Sequence, residues 1–365
     1  MSLIYWIVAA SDHSLKIYLL PDLQFVSSVG DAHESRITGL QFVGEDWLIT
    51  SSLDGYCKIW NINLQCVAFG RADPGVELHC CALDLQTGYA ACGTAEKVIV
   101  WKFNPKAAPK FAANFNPAKM KRHAIYDIFM EVVTAMKFHP GSPAHLLAGS
   151  VDGLAQVICL NETDEDEAVV SAINIVDTVE KIGWFGGDGS PFSAYLTSST
   201  GTVTVWCPQW EDEDTPDKEY RYSSLVEWCA GIKVPGDYVI DVVSGMGDQC
   251  FAVMGSFSGL LTVLALHEHQ HQHLWTSSSS SSSTSSNGAI PLNLSHSGVV
   301  RCLGQVGSLA APNFALLTAG EDSMILRWTI ATHPTQNDAR YLPSSSSVDR
   351  SHLPSRPANS KYAPY

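Results

Sequence analysis

The sequence predicts an all-β chain folded as a seven-bladed β-propeller of four-stranded antiparallel blades. Three observations predict it. The stretch SSLDGYCKIWN, Ser51 to Asn61, joins two small residues, a turn at Asp54-Gly55 and an aromatic six positions after the Asp. The same step runs from Asp12 to Tyr18 and from Asp322 to Trp328, and weaker copies end at Trp101, Ile158, Trp206 and Leu264. The terminal positions lie 42, 41, 57, 48, 58 and 64 residues apart, and the first two gaps match the roughly 40–45 residues of a four-stranded blade. Helical periodicity is absent, and short alternating runs bounded by Gly, Asp, Ser and Pro take its place.

Each unit after the first also has an apolar run upstream: Ile37–Phe42, Cys81–Leu85, Val132–Phe138, Val179–Trp184, Tyr238–Val243 and Val299–Leu303. These supply a first strand. One four-stranded sheet cannot bury both its faces, so sheets must stack and bury their large residues between neighbours. The aromatic or aliphatic residue that ends each step is therefore expected between blades, not at a ligand. The first unit is different. Residue 3 already reads as the second strand of a blade, so the first blade is expected to be incomplete or to be filled by the tail after Trp328. Asp338 to Leu342 is the strand-like piece of that tail, with the outer strand of the seventh blade as its other place.

Two blades carry a fuller polar set. His33, Thr50, Asp54 and Trp60 form one, and His296, Thr318, Asp322 and Trp328 the other, in the order and spacing of the hydrogen-bonded tetrad of Trp-Asp repeats. A carboxylate in a tight buried turn needs partners, and a His N–H with local backbone donors supplies them. His, Asp and Thr also occur in hydrolase relays. The recurrence of one set in separate blades, with nothing oxyanion-like beside it, favours structure over chemistry. The fourth unit keeps only Asp152, and Ala95, Thr200 and Ser258 replace the Asp in the third, fifth and sixth.

Two segments carry a more specific resemblance. Val132 to Trp184, with Phe138-His139-Pro140, Ser150-Val151-Asp152-Gly153-Leu154, Asp166-Glu167-Ala168 and Ile182-Gly183-Trp184, resembles the eukaryotic WD repeat-containing protein 89 family. Ser297 to Trp328, with its Val-Arg before the strand and Gly-Glu-Asp at the turn, resembles the last blade of that family. The resemblance implies a WD-repeat propeller in an intracellular eukaryotic protein, and a role in ribosome assembly.

Composition excludes several classes. Only 16% of residues are charged and the formal net charge is −15, so no basic face is expected to meet nucleic acid, and a basic protein partner fits better. Ten scattered cysteines contain no Cys-x-x-Cys, which leaves no zinc ribbon or dithiol redox site. Leu3 to Ala10 is too short and wrongly flanked for a signal peptide or a membrane span and reads as a strand. A reducing compartment, the cytoplasm and/or nucleus, follows, with the sequons at Asn161 and Asn293 as chance matches. Phosphate-binding, nucleophile-elbow, zincin and Ca²⁺-loop signatures are missing. The expectation is no enzyme, no cofactor, no metal and no membrane.

The propeller is expected over residues 1–332, interrupted at 102–122, 208–222 and 267–290, with a disordered tail over 333–365. Lys102 to Arg122 reads as an extended basic loop in which Phe103, Phe111 and Phe115 are the docking candidates. Two acidic runs follow third strands of adjacent blades: Glu162, Asp164, Glu165, Asp166 and Glu167, then Glu211, Asp212, Glu213 and Asp214. On one rim they would make a continuous negative patch for a basic partner. His267 to His273 places imidazoles at alternate positions, on one face if the run is a single strand; beside the Ser run it reads as low complexity, not a metal site. The function expected is a non-catalytic scaffold, a subunit of a larger complex. A ubiquitin-ligase substrate receptor and a phosphoinositide-binding propeller are the alternatives. Against them stand the absence of Trp-Asp-x-Arg and the single arginine of Phe69-Gly70-Arg71.

Overall fold

The alternating runs fold into strands that gather in seven sheets. The computed structural model describes the chain except residues 1–4, 20–23, 45, 107–115, 163, 188–189, 211–215, 246–248, 268–269, 277–295, 307–314, 323, 333–342 and 353–365. The first sheet holds β1 (Tyr5–Ala9), β2 (Leu15–Leu19) and β3 (Gln24–Val29). The second holds β4 (Ile37–Val43), β5 (Trp47–Ser52), β6 (Tyr56–Asn61) and β7 (Cys66–Arg71). The third holds β8 (Cys80–Asp84), β9 (Tyr89–Gly93), β10 (Val98–Lys102) and β12 (Lys121–Tyr126), while the short β11 (Ala118–Lys119) joins the second sheet. The fourth holds β13 (Val133–Phe138), β14 (His145–Ser150), β15 (Leu154–Cys159) and β16 (Val169–Asn174). The fifth holds β17 (Val179–Gly187), β18 (Ser190–Ser198), β19 (Val203–Cys207) and β20 (Lys218–Tyr222). In the sixth are β21 (Tyr238–Ser244), β22 (Cys250–Gly255), β23 (Leu261–His267) and β24 (Gln270–Thr276). The seventh holds β25 (Val300–Val306), β26 (Ala315–Gly320), β27 (Met324–Thr332) and β28 (Pro343–His352). The described residues also form two short helices, α1 (Glu165–Ala168) and α2 (Leu225–Gly231).

The fold is a seven-bladed β-propeller. Its strands fall in two compact units. Met1–Leu225, with Gly247–Cys250 and Leu266–Gln270, holds the first five sheets, and the remainder holds most of the last two. Within each blade consecutive strands pair antiparallel, as Ile49 opposite Ile59 and Leu317 opposite Arg327 illustrate. Every residue that ends the six-residue step lies in a third strand and is buried: Tyr18, Trp60, Trp101, Ile158, Trp206, Leu264 and Trp328 are all 4% exposed or less. Five of them pack in clusters shared with the preceding sheet. Trp60 lies with Ile7 and Ile17, Trp101 with Ile49 and Ile59, Ile158 with Ala82 and Val100, Trp206 with Leu147 and Val157, and Trp328 with Val253 and Val263. Stacking of sheets therefore supplies the core that no single blade has.

The turns between second and third strands explain the Asp-Gly, Thr-Gly and Ser-Gly pairs. Gly55, Gly153, Gly201 and Gly259 have φ of +76°, +83°, +81° and +82°, a region open to Gly at no steric cost. A Cβ on Gly55 would also sit 2.8 Å from the Val76 carbonyl oxygen. His13, at φ +63°, holds the corresponding place in the first blade.

Among the described residues the first sheet has three strands, as expected of an incomplete first blade, and the tail takes its other expected place: β28 pairs with β27 as the outer strand of the seventh sheet. Other expectations need correction. Asp338 to Leu342 lies outside the described residues, so the strand begins just past the expected piece, in a Ser-rich stretch taken for disorder. An outermost strand needs only ladder hydrogen bonds on one side, so its composition carries little signal. For the same reason the fourth strands of their blades, Lys121–Tyr126 and Lys218–Tyr222, begin inside the stretches 102–122 and 208–222 read as insertion. His267 ends β23 while His271 and His273 belong to β24, so the His-rich run is divided between two strands.

Candidate functional site

Both tetrads assemble as the spacing predicts. Trp60 Nε1–H donates to Thr50 Oγ1 at 2.9 Å, and Thr50 Oγ1 lies 2.8 Å from His33 Nε2. His33 Nδ1 lies 2.9 Å from an Asp54 oxygen. The backbone N–H groups of Glu34 and Tyr56 complete the carboxylate's partners at 3.0 and 2.9 Å. In the seventh blade His296 lies 3.0 Å from Asp322 and 2.8 Å from Thr318, which accepts from Trp328 at 2.8 Å. Burial opposes the charge on Asp54, but the His33 hydrogen bond and the two backbone donors outweigh it and hold the carboxyl at about 2. Asp322 is lowered too, by Ser297 N–H and His296 against burial. Both His side chains are 0% exposed, so no substrate can reach their nitrogens. The tetrads tie the turn to the third strand.

Two blades without the His use the same device reversed. In the fifth, Asp177 precedes the first strand and accepts from Ser199 Oγ, Thr200 N and Thr200 Oγ1 at 2.8, 3.0 and 2.7 Å. In the sixth, Asp237 accepts from Phe257 N at 2.8 Å. The carboxylate now stands where the tetrad has His, and the hydroxyls or amides stand where it has Asp. The sequence did hold a signal: an Asp just before each first strand, opposite Ser-Ser-Thr and Ser-Phe-Ser turns.

The loops after third strands are anchored on the blade before. Phe103 is buried and meets Trp47 of the second blade edge-on at 5.4 Å. β11 then pairs with β7, and Arg122 reaches Asp73 at 2.9 Å. Phe103 is thus a core residue, while Phe111 and Phe115 lie outside the described residues. In the fourth blade the Tyr126 hydroxyl donates to Glu162 O at 2.7 Å, and Asp127 N–H donates to Glu165 Oε1 at 3.1 Å. In the fifth, Asp217 accepts from Trp206 Nε1, Ser171 Oγ and Gln209 N at 2.9, 2.7 and 2.7 Å. Trp210 stacks on His145 of the fourth blade at 5.3 Å.

Trp210 belongs to an aromatic cluster that the sequence did not single out. His139 contacts Trp184, Phe192 and Trp210 edge-on at 4.6, 4.9 and 5.2 Å. Its Nδ1 accepts from Gly141 N and Ser142 N at 3.1 and 2.7 Å, which fixes the ring. Burial, aided by His145, pushes His139 down to about 4, so it is neutral at pH 7. The local signal was Phe138-His139-Pro140; its aromatic partners lie in another blade.

The acidic run of the fourth blade has a defined shape. Asp164 caps α1 by accepting from Asp166 N at 3.1 Å, and Glu165 is held by Asp127. Glu162, Asp164, Asp166 and Glu167 remain exposed. Glu211, Asp212, Glu213 and Asp214 lie outside the described residues, so a continuous patch stays an expectation. Among the described residues no cluster of three or more ligating side chains can hold a metal, and no helix is long and apolar enough to cross a membrane. Arg71, the lone arginine of Phe69-Gly70-Arg71, lies over the Tyr56 ring at 5.2 Å.

The family described as WD domain, G-beta repeat matches residues 24–61, the segment that holds the first tetrad. That match runs from the outer strand of the first blade through the third strand of the second blade of the seven-bladed propeller. It resembles the WD repeat-containing protein 89 homolog of Dictyostelium discoideum, at 27% identity over 200 residues, 54% of this chain and 50% of that protein. An uncharacterised WD repeat-containing protein of Saccharomyces cerevisiae is 24% identical over 221 residues, 59% of this chain and 52% of its own length. The chain therefore spans about half the length of the curated relatives it matches. Among solved structures, the Cps50 (Swd1) β-propeller domain of Myceliophteria thermophila superposes with a TM-score of 0.60 at 12% identity, covering 90% of this chain and 94% of that one. That likeness concerns the fold.

Proposed function

We propose that this propeller is a non-catalytic scaffold inside the cell, cytoplasmic and/or nuclear, that presents acidic loops to basic protein partners as a subunit of a larger complex. One observation carries the reading: the acidic run of the fourth blade is held in a fixed shape by Tyr126 and Asp127 while Glu162, Asp164, Asp166 and Glu167 point their charge to solvent. Acidic groups held in one place steer a basic partner without first being ordered by it. WD-repeat propellers commonly mediate protein interactions, and the buried tetrads leave their titratable groups no catalytic access. The resemblance to the WD repeat-containing protein 89 family adds ribosome assembly, in which partners are basic, as the setting. The test is a pull-down read by mass spectrometry with two proteins, the wild type and one with Glu162, Asp166, Glu167 and Glu211 to Asp214 changed to Lys. Loss of the basic partners from the second supports the reading, and retention of every partner ends it.

A further inference from the structure

The second-to-third-strand turn of the fourth blade lies at the meeting of three loops. Val151 N–H donates to Val132 O at 3.0 Å, Ile175 N–H to Gly153 O at 2.9 Å, and Thr178 Oγ1 to Val151 O at 3.1 Å. Each loop carries an apolar side chain into solvent: Met130 is 87% exposed, Val151 38% and Val176 82%. Val176 also has φ +70°. A β-branched residue in the left-handed region is a true outlier, and strain of this kind gathers where surfaces are used. Asn174 Oδ1 accepts from Val176 N–H at 2.7 Å and holds the turn in that shape.

Charge surrounds this patch asymmetrically. Glu131 is exposed beside Met130, Asp152 follows Val151, and Asp177 follows Val176. Asp127, which opens the Met130 loop, is bound to Glu165 of the acidic run. Of the nearby cations, Lys97 is paired with Asp127 at 2.5 Å, and Arg221 bonds Asn174 O at 3.0 Å while paired with Glu219. Asp152 is held by Ser150 Oγ and Leu154 N–H, and Asp177 by the Ser199–Thr200 turn.

We infer that Met130, Val151 and Val176 form the apolar centre, and the acidic run of the fourth blade the rim, of one docking surface for a protein segment with an exposed apolar side chain flanked by Lys or Arg. This rests on the proposed binding of basic partners and adds where their apolar anchor sits. An apolar centre with a charged rim is the anatomy of protein interfaces, and central anchors carry most of the affinity.

The probe is a fluorescein-labelled twelve-residue peptide with a central Leu-Phe pair flanked by Lys and Arg, and a copy with Glu at the basic positions; anisotropy is read against the full chain. The expected result is that the basic peptide binds and the acidic copy binds at least about tenfold more weakly. Met130→Ser and Val176→Asn should each weaken the basic peptide about fivefold. Asn tolerates the left-handed region, so Val176→Asn should at the same time raise Tm by about 2 °C or more. That opposite movement of stability and binding is not the behaviour of a merely misfolded variant. If both substitutions leave binding unchanged while Asp166→Lys with Glu167→Lys abolishes it, the apolar centre is overturned and the acidic scaffold stands. If the two peptides bind equally, or neither binds, the charge argument falls as well.

Discussion

Asp54 accepts hydrogen bonds from a histidine ring and two backbone amides, and through His33 and Thr50 it is linked to the Trp60 indole. Its removal leaves a buried donor set unpaired, so Asp54→Ala should lower stability by about 3 kcal/mol in urea unfolding. The carboxyl sits at about 2, below its ordinary value. Its contribution is therefore present above about pH 4 and is lost as pH falls toward 2. The stability gap between wild type and Asp54→Asn should shrink over that window. His139 behaves in the opposite chemical sense. The fold holds it neutral down to about 4, whereas the unfolded chain protonates it near 6.5. Acid thus favours unfolding between those values: stability falls as pH drops from about 6.5 to 4, and His139→Gln should flatten that slope in denaturant titrations followed by tryptophan fluorescence.

At the scale of strands and loops, the third-to-fourth-strand connections work as straps onto the preceding blade. Asp217 joins Trp206, Ser171 and Gln209. Asp217→Ala should therefore destabilise the protein by about 2 kcal/mol and speed hydrogen exchange over Lys218–Tyr222, with little change in the tetrad of the second blade. Local patterns were legible in the sequence because their parts lie close together: the six-residue step, the Gly turns and both tetrads follow from strand alternation and turn chemistry. The straps were not, because Phe103 needs Trp47 and Trp210 needs His145, residues far back in the chain. Asp177 and Asp237 escaped for another reason. The tetrad pattern runs from His to Asp, and these blades place the acid first. The outer strands at 121–126, 218–222 and 343–352 escaped because a strand held from one side needs no apolar alternation.

For the whole molecule, the stacked blades provide the core and leave the loops outside it. The net charge of −15 gives the loops of the fourth blade an acidic setting, so binding of a basic partner should weaken as salt rises and the Debye length contracts from about 10 Å at 0.1 M to 3 Å at 1 M. The aromatic cluster around His139 and the acidic run around α1 both sit in blades four and five. We propose that partners are recognised there and that the tetrads of the second and seventh blades serve stability. The most direct measurement is a partner pull-down at fixed salt with the wild type, the Asp54→Asn protein and the protein reversed in charge at Glu162, Asp166 and Glu167. Basic partners should be lost only with charge reversal, while Asp54→Asn keeps them at temperatures where it remains folded. Retention of all partners by the charge-reversed protein, or their loss from folded Asp54→Asn, would contradict the proposal.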